Sequence, residues 1–146
     1  MNTREIMTSK LDVVTARDSV TRAAQVMLTS DIGFVPVVDD IARMRLVGVL
    51  TDRDIAMRYV AQNRSPNTLV GDIMTSEHLV CVRPEDDAHD VLGGMRHERV
   101  RRIPVVDKEH RVIGVVAQAD IARKLGPREP NLVEKMLEDI SQPAPA

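Results

Sequence analysis

The sequence predicts an α/β fold of two similar α+β repeats, each running helix, strand, helix, strand, strand, helix. Two observations predict it. First, motifs return in the same order. Ile6-Met7-Thr8-Ser9 reappears as Ile73-Met74-Thr75-Ser76, and Phe34-Val35-Pro36-Val37-Val38-Asp39 as Arg102-Ile103-Pro104-Val105-Val106-Asp107. Val47-Gly48-Val49 with Asp54-Ile55-Ala56 reappears as Ile113-Gly114-Val115 with Asp120-Ile121-Ala122. Second, short β-branched runs alternate with stretches of helical period in both halves. A doubled unit implies pseudo-twofold packing, and the paired clefts it creates are where function is to be sought.

Each element has a local reason. Leu11 to Thr15 reads as a short apolar strand. Asp18 or Ser19 can cap the next helix, whose apolar face is Val20, Ala23, Ala24, Met27 and Leu28. The second repeat matches it with Ala88, Val91, Leu92 and Met95, after Pro84 near a first-turn position. Phe34 to Val38 is apolar and β-branched, hence a buried strand, and Asp39-Asp40 starts a turn. Arg45 to Leu50 is the following strand, and Thr51 opens a helix through about Ala61. Pro104 cannot donate to a ladder, which predicts an edge or cleft-lining strand. Leu132, Val133, Met136, Leu137 and Ile140 space as one more amphipathic helix, with a frayed tail from Ser141 to Ala146.

The repeats divide the chain into residues 1–65, residues 66–128 and a C-terminal helix and tail at 129–146, with Asn63 to Asn67 as the linker. A repeat of about 65 residues is marginal alone, so a core spanning both is expected. Apolar residues make up 43% and charged residues 29%. Phe34 and Tyr59 are the only aromatics, so the core must be aliphatic, and stacking on single-stranded nucleic acid has nothing to work with. The net charge of −2 offers no global field toward DNA or membrane. No apolar run reaches the ~18 residues of a membrane span, and the N-terminus lacks a signal-peptide core. Cys81, the one cysteine, can form no intrachain disulfide and reads as a buried, inert thiol. These features predict a cytoplasmic protein.

The segment richest in chemistry is Gly48-Val49-Leu50-Thr51-Asp52-Arg53-Asp54. Thr51 and Asp54 have the spacing of a capping box, which by itself is a purely structural device. The second repeat has Ala117 where Thr51 stands, yet keeps the acid as Asp120. A carboxylate at a strand-to-helix turn can accept both hydroxyls of a ribose, and the helix start offers free N–H groups to phosphate. Arg99-Val100-Arg101-Arg102 precedes Ile103-Pro104 and is either a solvated helix end or a phosphate clamp. The first repeat carries Ile32-Gly33-Phe34 there, so the two clefts should differ in charge.

The double, ordered set of these motifs resembles a tandem pair of CBS domains, over about Ile6 to Leu125. The resemblance implies a non-catalytic regulatory module that requires no cofactor and binds an adenosine-containing ligand such as AMP, ADP, ATP or S-adenosylmethionine. It implies clefts that each draw on both repeats, a homodimer formed through helices, and a protein effector. One cleft would use Asp54 for the ribose hydroxyls, Thr51 for ribose or phosphate, Val80, Cys81 and Val82 to frame adenine, and Arg101 and Arg102, beside Ile103, for phosphate. The second, weaker cleft would use Asp120 with Val13, Val14, Thr15, Gly33, Phe34 and Val35.

Other readings follow from the same residues. The clefts could be empty, leaving a protein-interaction or structural module. Asp52 and Asp54 could hydrolyse a phosphate ester, but no nucleophile–base–orienter set accompanies them. A metal site is not expected, because His78 and Cys81 have zinc-like spacing without a second cysteine, and His89 and His97 merely share a helix. Arg96, His97, Arg99, Arg101 and Arg102 form one basic cluster, too narrow for a DNA-binding surface.

Overall fold

The computed structural model describes residues 1–142. The elements in chain order are α1 (Thr3–Ile6), β1 (Val14–Thr15), α2 (Val20–Ser30), β2 (Phe34–Val38), β3 (Leu46–Thr51), α3 (Asp52–Ile55), a π-helical turn (Ala56–Val60), α4 (Val70–Ile73), α5 (Ala88–Glu98), β4 (Arg102–Val106), β5 (Val112–Ala117), α6 (Gln118–Leu125) and α7 (Pro130–Ser141). The expected tail lies outside the described residues beyond Gln142.

The compact units do not follow chain order. One, the Asp54 unit, comprises Asp12–Leu79 with Glu109–Val112; the other, the Asp120 unit, comprises Met1–Leu11, Val80–Lys108 and Ile113 onward. The repeats have therefore exchanged their opening segments. Thr8 pairs with Val115 by two backbone hydrogen bonds of 2.9 and 3.0 Å, and Thr75 pairs with Val49 by two of 2.9 Å. Each Ile-Met-Thr-Ser segment thus extends the sheet of the other repeat. The expected shared core gives way to two buried clusters. Val14, Val20, Ala23, Met27, Val35, Val37, Leu50, Val70 and Ile73 fill the Asp54 unit. Residues of α1, α5, β4, β5, α6 and α7 fill the Asp120 unit, among them Ile6, Leu92, Met95, Ile121 and Met136.

In the Asp54 unit the strand order is β1-β2-β3, with β1 parallel and β3 antiparallel to β2. Pro36 therefore lies in a central strand, not at an edge. Pro104 is likewise flanked by β5 on one side and by Val82 on the other, where its carbonyl accepts the Val82 N–H at 3.1 Å. The prolines are tolerated because the parallel ladder ends at them. The nitrogen that would donate to the carbonyl near Val80 belongs to Pro104 and carries no hydrogen. The counterpart of β1 in the second repeat, around Val80 to Val82, consequently shrinks to a single bridge between Val82 and Val105.

Ser19 caps α2, accepting the Arg22 N–H at 3.0 Å, while Asp18 accepts the Thr15 N–H at 2.8 Å. Leu28, expected on the buried face, is 82% exposed. The cap of α5 is Asp87, so Pro84 stands before the helix, not in its first turn, and its carbonyl accepts the Arg4 N–H. Arg96 of α5 pairs with Asp139 of α7 at 2.7 Å, which removes it from the basic cluster and ties the two helices together.

Two glycines of the shared motif explain the exchange. A Cβ on Gly48 would lie 2.9 Å from the Thr75 carbonyl oxygen and 2.7 Å from Met74 Sδ; on Gly114 it would lie 3.1 Å from the Thr8 carbonyl oxygen and 2.7 Å from Met7 Sδ. Only glycine lets the visiting segment approach the strand so closely. Gly48→Ala is expected to destabilise the protein by about 1–3 kcal/mol in urea titration. Gly93→Ala, in open space on α5, should instead stabilise it by roughly 0.5–1 kcal/mol.

His89, in the first turn of α5, lies between Asp87 at 2.9 Å and Glu129 at 2.6 Å. Hydrogen bonding to Asp87 and then to Glu129 raises its pKa above the ordinary 6.5. Hydrogen bonds from His89 hold the Asp87 carboxyl below its ordinary 3.8. A raised histidine contributes stability that is complete below pH 6.5 and is lost as pH rises through the folded value. The Asp87 contribution is present above pH 3.8 and is lost as pH falls through its lowered folded value. His89→Gln is therefore expected to lower Tm most between these two values, and least in alkaline buffer. An equal loss at every pH would rule out the protonated pair.

Candidate functional site

The junction of β3 with α3 builds the better-defined site. Thr51 is extended and caps α3, with Oγ1 accepting the Asp54 N–H at 3.0 Å and Asp54 Oδ2 accepting the Thr51 N–H at 3.1 Å. The capping box is real, but it uses only half of each side chain. The Thr51 hydroxyl still has a proton to donate. Asp54 Oδ1 has only a long ion pair to Arg58 Nε, at 3.7 Å. Arg58 itself is held elsewhere, donating to the Ile73 carbonyl at 3.0 Å and to Thr75 Oγ1 at 3.2 Å. The expected helix from Thr51 to Ala61 becomes π-helical at Ala56–Val60, where Ala61 N donates to the Ala56 carbonyl at 2.9 Å. Such turns concentrate at functional sites.

Gly33 and Phe34 adjoin this junction. Phe34 is paired with Thr51, and the Asp52 N–H donates to the Gly33 carbonyl at 3.0 Å. A Cβ at Gly33 would come 2.6 Å from Asp52 Oδ2, so glycine leaves that carboxylate its place.

The Asp120 unit repeats the frame with other side chains. The Gln118 N–H donates to the Arg101 carbonyl at 2.9 Å. Asp120 Oδ2 accepts the Ala117 N–H at 3.0 Å, although Ala117 has no cap to return. Half of the box therefore survives and by itself accounts for the retained acid. Asp120 Oδ1 is taken by Arg123, and the residue is 8% exposed, so this carboxylate is less available than Asp54. Arg101 and Arg102 are exposed, and among the described residues neither side chain has a partner.

Within each unit, then, Gly33 and Phe34 stand with Thr51 and Asp54, and Arg101 and Arg102 stand with Ala117 and Asp120. Val14, Val35 and Ile103 put their side chains into the cores and offer a ligand only backbone. Val13, Thr15, Val80, Cys81 and Val82 are half-buried. Burial pushes the Cys81 thiol up, Arg83 opposes this and Asp86 adds to it, so the thiol is a poor nucleophile. Arg58 was missed in the sequence; its place four residues after Asp54 was the available signal. Among the described residues, no three His, Cys, Asp or Glu side chains gather as metal ligands, and no helix is long and apolar enough to cross a membrane.

Comparison with protein-family models matches the CBS domain twice, at residues 4–61 and 70–127. The chain belongs to the CBS-domain family. This CBS-domain pair is 37% identical over 122 residues to hypoxic response protein 1 of Mycobacterium tuberculosis, covering 84% of this chain and 83% of that protein. A crystal structure of hypoxic response protein I with two coordinated zinc ions matches at a TM-score of 0.76 and 36% identity, covering 86% of this chain and 99% of that one. The CBS domain pair of protein MJ0100, solved with 5′-methylthioadenosine and S-adenosyl-L-methionine, matches at 0.76 and 27% identity, covering 88% and 98%. CBSX2 in complex with AMP matches at 0.71 and 28% identity, covering 84% and 93%.

Proposed function

We propose that this CBS pair is a non-catalytic regulatory module that binds an adenosine-containing ligand: AMP, ADP, ATP or S-adenosylmethionine. The observation that carries the proposal is the half-used Asp54 carboxylate. Its Oδ2 is spent on the helix cap, while Oδ1 faces only an ion pair of 3.7 Å, which ribose hydroxyls can displace. The neighbouring Thr51 hydroxyl supplies a donor to ribose or phosphate. Within the Asp120 unit, Arg101 and Arg102, exposed and unpartnered among the described residues, offer charge for phosphate. The relatives solved with AMP and with S-adenosylmethionine support this ligand class. Asp120, buried and engaged by Arg123, makes a second site that is weaker.

A thermal-shift series with AMP, ATP, S-adenosylmethionine and NADH tests the reading. A ligand at 100 times its Kd stabilises the folded protein by about 2.7 kcal/mol. No shift with any adenosine compound at millimolar concentration would sink it. A homodimer and a protein effector complete the proposal. Leu28, Met57 and Val60, exposed at 82%, 54% and 67% on helical surfaces of the Asp54 unit, favour burial against a partner. Sedimentation equilibrium showing a monomer would remove that part alone.

A further inference from the structure

The Asp54 unit contains a basic feature at the opposite end of β3 from Thr51 and Asp54. Arg45 and Arg111 occupy equivalent positions of the two repeats and face each other across an isolated antiparallel bridge. The hydrogen bonds flank this pair. Leu46 N donates to the His110 carbonyl at 3.1 Å, and Val112 N to the Met44 carbonyl at 2.8 Å. Arg45 and Arg111 are thus a non-hydrogen-bonded pair, the arrangement that brings opposite side chains closest, with Cα atoms about 4.5 Å apart. Met44 and His110, the residues just before them, both have left-handed backbones, with φ of 57° and 64°. The two loops are therefore turned alike and hold the arginines on one face.

Like charges directly opposite in a ladder are destabilising. Here they open into a groove of about 490 Å³ lined by Ala42, Arg43, Arg45, Glu109 and Arg111. Two acids lie beside these arginines. Arg43 meets Asp40 at 3.8 Å with 74% of its side chain exposed, and Arg111 meets Glu109 at 3.4 Å with 52% exposed. An exposed pair such as Arg43–Asp40 is weakly held and yields to a stronger anion. The Arg45 guanidinium has no partner among the described residues. Asp39 accepts the backbone N–H groups of Asp40 and Arg45 with one oxygen, Oδ1.

We propose that this groove binds a small phosphate-bearing anion, inorganic or esterified, through the guanidinium groups of Arg43, Arg45 and Arg111. Guanidinium forks match phosphate oxygens, and a dianion between Arg45 and Arg111 turns their repulsion into attraction. The site is separate from the one proposed at Asp54 and stands or falls independently of it.

Pyrophosphate titrated into the whole protein, followed by backbone amide NMR, tests this. Resonances of residues 43–46 and 109–112 are expected to shift, and ATP should shift the same set if esters are accepted. Arg45→Gln and Arg111→Gln should each weaken pyrophosphate binding about tenfold or more. Arg45→Lys should recover only part of it, because the fork is lost. In phosphate-free buffer Arg45→Gln should be at least as thermostable as the parent, since a repulsion has been removed. Shifts confined to Arg101 and Arg102, unchanged affinity in Arg45→Gln, or no shifts at millimolar pyrophosphate would each overturn the proposal.

Discussion

Asp54→Ala is expected to abolish most of the stabilisation that an adenosine ligand confers. A hydrogen bond to a charged group contributes about 1.5–3 kcal/mol, so losing two from a ribose weakens binding at least about a hundredfold. At a concentration that stabilises the parent by about 2.7 kcal/mol, the variant would gain at most about 0.4 kcal/mol. The substitution also removes the acceptor for the Thr51 N–H and so lowers basal stability by about 0.5–2 kcal/mol. Asp54→Asn separates the two effects, because its amide oxygen can still accept that N–H while the charge is gone. Calorimetric titration of both variants measures the binding loss directly. Full affinity in Asp54→Ala would refute the ribose role.

Met95→Ala should cost about 2–5 kcal/mol in chemical denaturation. Met95 is fully buried in α5, in a cluster that includes Ile6 from the start of the chain and Met136 from α7. Removing it leaves a cavity that three separate chain segments would have to close. Domains are stable by only about 5–15 kcal/mol in total, so this one change should move the unfolding midpoint far more than any surface substitution. Leu28→Ala is the matched control. At 82% exposure it should stay within about 0.5 kcal/mol of the parent unless a partner covers it.

Much of the architecture was legible because the repeat supplied an internal comparison. The apolar spacing of Ala88, Val91, Leu92 and Met95 identified the buried face of α5, and all four residues are buried. The same spacing misplaced Leu28, because periodicity defines a face but not how wide a stripe the sheet covers. Pro104 was expected in an edge or cleft-lining strand, whereas it, like Pro36, occupies a strand flanked on both sides. A missing N–H limits a ladder at one point without excluding the strand from the middle. Thr51 and Asp54 were visible as a cap, but the free half of the carboxylate depends on where Arg58 goes, and that is set by Ile73 and Thr75 across the sheet. The facing of Arg45 and Arg111 left no trace in either repeat alone, since it arises from the pairing of two loops far apart in the chain.

The exchange of opening segments also fixes a timetable for synthesis. The Asp54 unit gathers most of its strands and helices from Asp12–Leu79, and can assemble largely as they emerge. The Asp120 unit needs Met1–Leu11 together with residues made more than half a chain later. At about 5–20 residues per second, the segment around Thr8 waits on the order of ten seconds for its place beside Val115. Throughout that interval Ile6-Met7-Thr8-Ser9 is an unpaired edge, able to dock on the same strand of a neighbouring nascent chain.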